Sequence, residues 1–254
     1  MHLLEWQTIY ALLPWFALAV AAFILLFFFN APYGRYSLKN TGMSINGGLA
    51  WLIMESPSPL IIASFFIFTN QTINITQLIF LIMWESHYVH RTFIYPFTMR
   101  SSRRLFPLLI VSFGFFFNVV NAYLNGNSIL VHRALYTTAW LSDIRFIIGV
   151  SLFILGYIAN RHSDWVLYKI RGKNHDGYSV PHGGLFRWVS CPNYLGEITL
   201  WIGWAIATWS LAGLAFAIWT VANLAPRAVA HHKWYRDNFE DYPENRHALI
   251  PGIW

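Results

Sequence analysis

A single cysteine, Cys191, leaves this chain without an internal disulfide or a multi-cysteine metal site. Charge is nearly as scarce. Asp, Glu, Lys and Arg together make up 11% of the 254 residues, about half the share of an ordinary soluble domain. There is no Walker motif and no G-x-G-x-x-G after a strand, so any nucleotide site has to be of a different, membrane-embedded kind. No basic stripe with interleaved stacking aromatics occurs in a polar stretch, which argues against nucleic acid as a partner. Internal repeats and low-complexity linkers are missing too, and residues 1–254 read as one domain with no obligate protein partner evident.

What the chain has in abundance is apolar surface: 56% hydrophobic and 19% aromatic residues, with a mean hydropathy of +0.43. Residues 11–29 carry no charge, and their length suits a bilayer core. With no basic segment before it and no small-residue cleavage site after it, this run reads as a span rather than a signal peptide. Six more apolar segments follow, at 48–68, 78–95, 105–123, 144–167, 194–209 and 211–229. The expectation is therefore an all-α polytopic membrane protein of seven transmembrane helices. With the N-terminus outside, 14 of the 17 Lys and Arg residues fall on the inner side. Among them are Arg35, Lys39, Arg100, Arg103 and Arg104, and the bias places the C-terminus in the cytosol. The net charge of +6 mostly reflects this bias. The outer loop carries two formal glycosylation sequons, at Asn70 and Asn74.

Ionisable groups are expensive in such a chain and mark functional positions. In the second span, Trp51-Leu-Ile-Met-Glu55-Ser-Pro57-Ser-Pro59 puts a carboxyl beside two prolines, which free the helical carbonyls of Ile53 and Glu55. Broken backbone at membrane depth lines a cavity or packs inside protein. The alternative is a kinked helix whose Glu makes a structural hydrogen bond. The third span ends Trp84-Glu85-Ser-His87-Tyr88-Val-His90-Arg91. His87 and His90 have no further ligands at convincing spacing and read as interface anchors, so no metal is expected. Tyr88 can pair with Glu55 from a neighbouring span, and a buried carboxyl beside a phenol suits polarisation of a carbonyl oxygen.

Three polar stripes occupy the C-terminal third: Asn160/Asp164 continuing to Arg171, Asn193/Glu197 continuing to Trp201, and Arg227/His231/Tyr235. Each set recurs on one side of a helix. A Gly- and Pro-rich loop, 171–184, joins the first two stripes and contains Tyr178. The tail adds Arg246. Arg and His converging with Asn and Asp suit a phosphate-rich, amide-bearing ligand such as a dinucleotide. The same basic tail also suits anionic lipid headgroups, and residue physics leaves both open.

Several motifs resemble the steroid 5-alpha-reductases: Glu55-Ser-Pro-Ser, His87-Tyr-Val-His-Arg-Thr-Phe, Asn160-Arg-His-Ser-Asp164, Gly183-Gly-Leu-Phe-Arg-Trp-Val-Ser, Asn193-Tyr-Leu-Gly-Glu197, and His231-His-Lys-Trp-Tyr235 with Phe239-Glu-Asp-Tyr-Pro243. The similarity is densest from Asp143 to Trp254. The resemblance implies a seven-helix enzyme that uses NADPH to reduce the Δ4 bond of a 3-oxo-Δ4 steroid. Glu55 and Tyr88 would bind the C3 oxygen, with Trp51 beside them as a substrate contact, and burial would favour a neutral Glu55. The cofactor site would fall on Asn160, Asp164, Arg171, Tyr178, Asn193, Glu197, Trp201, Arg227, His231, Tyr235 and Arg246. Arg171 would meet a phosphate, and Asn193 and Glu197 the carboxamide. Residues 1–125 would form mainly the substrate half and 143–254 mainly the NADPH half. The host membrane would be the endoplasmic reticulum in a eukaryote or the cytoplasmic membrane in a bacterium.

Two positions depart from the family pattern. The fourth span has an apolar Val111-Ser-Phe-Gly-Phe where a basic residue can stand, with Arg103 or Arg104 as substitutes, and Glu85 adds an acid. Two other classes compete. An isoprenylcysteine-type methyltransferase would use S-adenosylmethionine, but it would leave Glu55 and Tyr88 idle. A non-enzymatic sterol- or lipid-binding protein would leave the polar stripes without a purpose.

Overall fold

The computed structural model describes residues 2–29, 42–98, 105–132, 134–173 and 178–252, with the side chains of residues 2–11 and 171–173 outside that description. Arg35, Lys39, Arg100, Arg103 and Arg104 lie outside the described residues, as do 174–177 of the Gly-rich loop. Helix dominates, as apolar runs that must satisfy their own backbone groups require. In chain order the elements are α1 (His2–Phe28), β1 (Ser44–Asn46), α2 (Gly47–Glu55), α3 (Pro57–Phe68), α4 (Ile75–Val89), α5 (Tyr95–Thr98), β2 (Leu105–Pro107), α6 (Leu108–Val131), α7 (Ile144–Lys173), α8 (Pro192–Thr208) and α9 (Leu211–Asn238). Four stretches are long and apolar enough to cross a bilayer: Gly47–Phe68, Leu108–Val131, Ile144–Ile170 and Leu211–Asn238. Leu12–Phe28 is a shorter apolar helix. The remaining two expected spans, 78–95 and 194–209, are also helical, but α4 is shortened by a π-helical turn and α8 is 17 residues long.

The chain divides into two compact units, residues 31–147 and residues 1–30 with 148–254. In the first, β1 and β2 pair antiparallel and lead into α2 and α6. Asn74 opens α4 through a capping box with Gln77, so the second sequon is also a helix start. The break between α2 and α3 is patched locally. Ser56 keeps right-handed helical angles, and its hydroxyl donates to the Ile53 carbonyl at 3.1 Å, the acceptor that Pro57 leaves unused.

In the second unit, α7 and α8 meet backbone to backbone at four glycines, with Phe153 packed on Trp201 beside them. Gly149 and Gly156 on α7 and Gly196 and Gly203 on α8 each sit two turns apart. A Cβ on Gly149 would stand 2.6 Å from the Gly203 carbonyl oxygen, and one on Gly156 would stand 2.6 Å from that of Gly196. Cβ atoms on Gly203 and Gly196 would meet the oxygens of Gly149 and Gly156 at 2.6 and 2.8 Å. The contact is thus reciprocal and backbone to backbone, in the small-residue mode of membrane helices. The α9 helix packs on both α8 and α1, where the Trp219 indole donates to the Trp15 carbonyl at 3.1 Å.

Backbone cannot retreat as a flexible side chain can, so one methyl group should be felt. Gly156→Ala is expected to cost about 1–3 kcal/mol, the usual range for overpacking, and to lower the melting temperature in detergent. Unchanged melting would mean that α7 and α8 are not in this contact.

Candidate active site

Within residues 31–147, Glu55 is the last residue of α2 and is 8% exposed. Arg91 Nε donates to its Oε1 at 3.3 Å, and Asn118 Nδ2 approaches its Oε2 at 3.5 Å. Each partner is itself positioned. Arg91 sits in the π-helical turn His90–Ile94, where its guanidinium lies 5.0 Å from the Trp51 ring centre and 5.9 Å from that of Tyr95. Asn118 also donates to the Met54 carbonyl at 2.8 Å and accepts from the Ser58 hydroxyl at 2.8 Å. The Trp84 indole donates to the Ser58 carbonyl at 3.1 Å, tying α4 to α3. Tyr88 is 3% exposed and packs on Trp84 with ring centres 4.8 Å apart. The Trp51 indole N–H and Glu85 Oε1 are buried without a hydrogen-bond partner among the described residues.

In the second unit, the glycine contact brings the start of α8 beside the middle of α7. Asn160 Nδ2 donates to the Asn193 carbonyl at 3.0 Å, and Asn193 Nδ2 donates to Asp164 Oδ1 at 3.3 Å. Two predicted stripes therefore meet. The third joins them through Tyr194, whose hydroxyl lies 3.2 Å from His231 Nε2 and whose ring stands 5.8 Å from the Arg227 guanidinium. Glu197 is buried on the same α8 face. Tyr178 packs on Trp234, and Tyr235 stacks nearly parallel on Tyr242 at 5.4 Å. Trp201 is different in kind. It is 1% exposed and packed against Phe216 at 4.2 Å, so it helps hold the core between α8 and α9. The backbone of Arg171 lies in α7, and its side chain is outside the described residues.

The tail is pinned by a hub at Ser190. Its hydroxyl donates to the His247 carbonyl at 3.0 Å, with Tyr242 Oη at 2.5 Å and His232 Nδ1 at 2.6 Å. A hydroxyl has one hydrogen, so Tyr242 and His232 donate to Ser190, which places the imidazole proton on Nδ1. Burial pushes the Tyr242 phenol up, against the opposing pull of the Arg246 charge, which keeps it a donor at neutral pH. Arg246 is 4% exposed, with its guanidinium 5.0 Å from the Tyr242 ring centre. Its Nε and Nη1 find no acceptor among the described residues. A buried cation with unmet donors costs stability unless an anion completes it, and this donor set fits a phosphate.

The family model for 3-oxo-5-alpha-steroid 4-dehydrogenase matches residues 104–254. The steroid 5-alpha-reductase of Solanum lycopersicum is 42% identical over 241 residues, covering 93% of each chain. The 3-oxo-5-alpha-steroid 4-dehydrogenase 1 of Bos taurus is 38% identical, and the 3-oxo-5-alpha-steroid 4-dehydrogenase 2 of Sus scrofa is 42% identical, each over 241 residues and 93% of both chains. The chain belongs to the 3-oxo-5-alpha-steroid 4-dehydrogenase family. The resemblance in its motifs is borne out over nearly its whole length.

For this family member, sequence reasoning overlooked three parts of the polar framework. Arg91 and Asn118 hold Glu55, whereas the expectation paired that carboxyl with Tyr88 or gave it a structural hydrogen bond with no named partner. Asn118 had a legible signal, because Asn118, Asn121 and Asn125 are buried at i, i+3 and i+7 on apolar α6. Ser190 closes the Gly183–Ser190 motif, but its role as a hub had no local signal, since its partners lie 42, 52 and 57 residues away. Removing that hub should loosen the tail. In Ser190→Ala, the buried Tyr242 phenol loses its acceptor at about 1–3 kcal/mol and the half-buried His232 loses one too, and amide exchange at Cys191 and His247 should speed up. Unaltered exchange would show that Ser190 does not hold the tail.

Proposed function

We propose that this chain reduces the Δ4 double bond of 3-oxo-Δ4 steroids to 5α-dihydro products, with NADPH as reductant. When bound, NADPH supplies the hydride that adds at steroid C5, and a proton added at C4 completes the reduction. As the hydride arrives, conjugation moves negative charge onto the C3 oxygen. Tyr88, and Glu55 in its protonated form, donate to that oxygen, and donors already in place lower the barrier without reorganising. Trp51 closes the substrate side and offers its buried indole N–H. The observation that carries this reading is the buried Glu55 carboxyl, steadied from two sides at a patched helix break. Contacts of 3.3 and 3.5 Å orient a carboxyl without using all of its hydrogen-bonding positions.

NADPH is held by residues 143–254. Asn160, Asp164, Asn193 and Glu197 face its amide-bearing end, while Arg171, Arg227, His231 and Arg246 face its phosphates. Tyr178 and Tyr235 line the same cradle, and Trp201 supports it from the core. The unmet donors of buried Arg246 support an anionic occupant. Residues 1–125 supply mainly the steroid pocket. Seven helices cross the membrane with the N-terminus outside, which presents the cofactor residues to the cytosol. The membrane is the endoplasmic reticulum in a eukaryote and the cytoplasmic membrane in a bacterium.

Substitutions should separate the two labours. Tyr88→Phe removes one donor to the C3 oxygen and should lower turnover about a hundredfold. Glu55→Gln should also cut turnover sharply, with NADPH still bound in both variants. Full turnover in both would remove the pair from the mechanism. Arg171→Ala should instead weaken NADPH binding about tenfold, the scale of one charge-assisted contact. Unchanged affinity would reassign that phosphate contact.

A further inference from the structure

The back of α7 carries a second site. Asn160 and Asp164 face α8, but His162 stands two residues from Asn160, about 200° around the helix. There a groove of about 520 Å³ opens between α7 and the turn Gly184–Arg187. Leu155, Ile158 and Leu185 line its apolar part, and Leu155 and Ile158 are 62% and 58% exposed on a helix long and apolar enough to cross a bilayer. His162, Arg187 and Trp188 line the other part. From Leu155 to His162 is seven residues, about 10 Å along the axis. The groove thus runs from exposed leucine and isoleucine on α7 to His162 near the polar end of that helix and Arg187 on the facing turn.

Local details suit a membrane interface. Trp165 continues the His162 side of α7 and is half exposed, and Lys169 Nζ lies 3.6 Å from its ring centre. Indoles and long basic side chains gather at the headgroup level. The turn is shaped to leave the groove open. Gly184 has φ +51°, and a Cβ on it would come 2.5 Å from His162 Cε1. A larger residue would be strained there and would displace the imidazole that forms the basic end.

We infer that this groove binds one anionic phospholipid, with its phosphate between Arg187 and His162 and an acyl chain along Leu155 and Ile158. The charge decides the class: an apolar trough ending in basic groups matches an acyl chain joined to a phosphate. The inference needs only a membrane around α7, and it stands apart from the reductase reading.

The test uses the full-length protein in nanodiscs of phosphatidylcholine containing a minor fraction of phosphatidylglycerol. After mild detergent release, native mass spectrometry counts the retained lipid. Wild type should keep one phosphatidylglycerol. Arg187→Gln should reduce its retention about fivefold, the worth of one basic group at an anionic surface, and His162→Ala should reduce it through the lost hydrogen bond to the phosphate. Arg236→Gln, at an exposed basic residue outside the groove, should not. A photoreactive phosphatidylglycerol on unmodified protein should label residues 155–165 and 183–188. Equal retention by wild type and both groove variants, or labelling elsewhere, would overturn the site. So would displacement of the lipid by inorganic phosphate alone, since the groove would then bind a free anion.

Discussion

The polar framework of the second unit depends on how closely α7 and α8 approach. Four glycines remove the side chains that would hold two apolar helices apart, and each brings its carbonyl oxygen to 2.6–2.8 Å from where a Cβ on the facing glycine would stand. Only at that separation can Asn160 reach the Asn193 backbone and Asn193 reach Asp164. The same approach leaves the rest of α7 to the outside, so one helix carries amides on one face and exposed leucine and isoleucine on another. In lipid there is little hydrophobic drive to bring helices together, and close packing plus a few interhelical hydrogen bonds has to supply it.

The first unit uses a different device for a similar end. Two prolines disrupt a membrane-length helix. The Ser56 hydroxyl takes up the Ile53 carbonyl that Pro57 leaves, and the Asn118 amide and the Trp84 indole fix the neighbouring Met54 and Ser58 carbonyls. Glu55 stands where those repairs converge. A carboxyl on a backbone fixed by so many hydrogen bonds has little freedom left to lose when a ligand arrives, which is the condition for preorganised stabilisation of charge.

How much of this was legible follows from how local each feature is. Helical periodicity and apolar length revealed the helices, and the Pro57/Pro59 spacing revealed the break, because each depends on neighbouring residues. The i, i+4 polar stripes were legible for the same reason, and so would have been the Asn118/Asn121/Asn125 row and the paired glycines of α7 and α8. Which helix faces which is a non-local fact. Hence Arg91 on Glu55, and Ser190 gathering His232 and Tyr242, emerged only from the structure. Trp201 fits its stripe by spacing, yet it spends its surface on Phe216 and the core. Periodicity identifies a face, while the neighbours determine its use.

The central claim is hydride transfer to a conjugated ketone, and one labelling experiment addresses it most directly. Purified protein in nanodiscs would receive progesterone or testosterone with NADPH deuterated at nicotinamide C4, and the product would be analysed by NMR and mass spectrometry. The account predicts a 5α-dihydro steroid carrying deuterium at C5. No NADPH oxidation with any enone, or deuterium at a carbon other than C5, would contradict it.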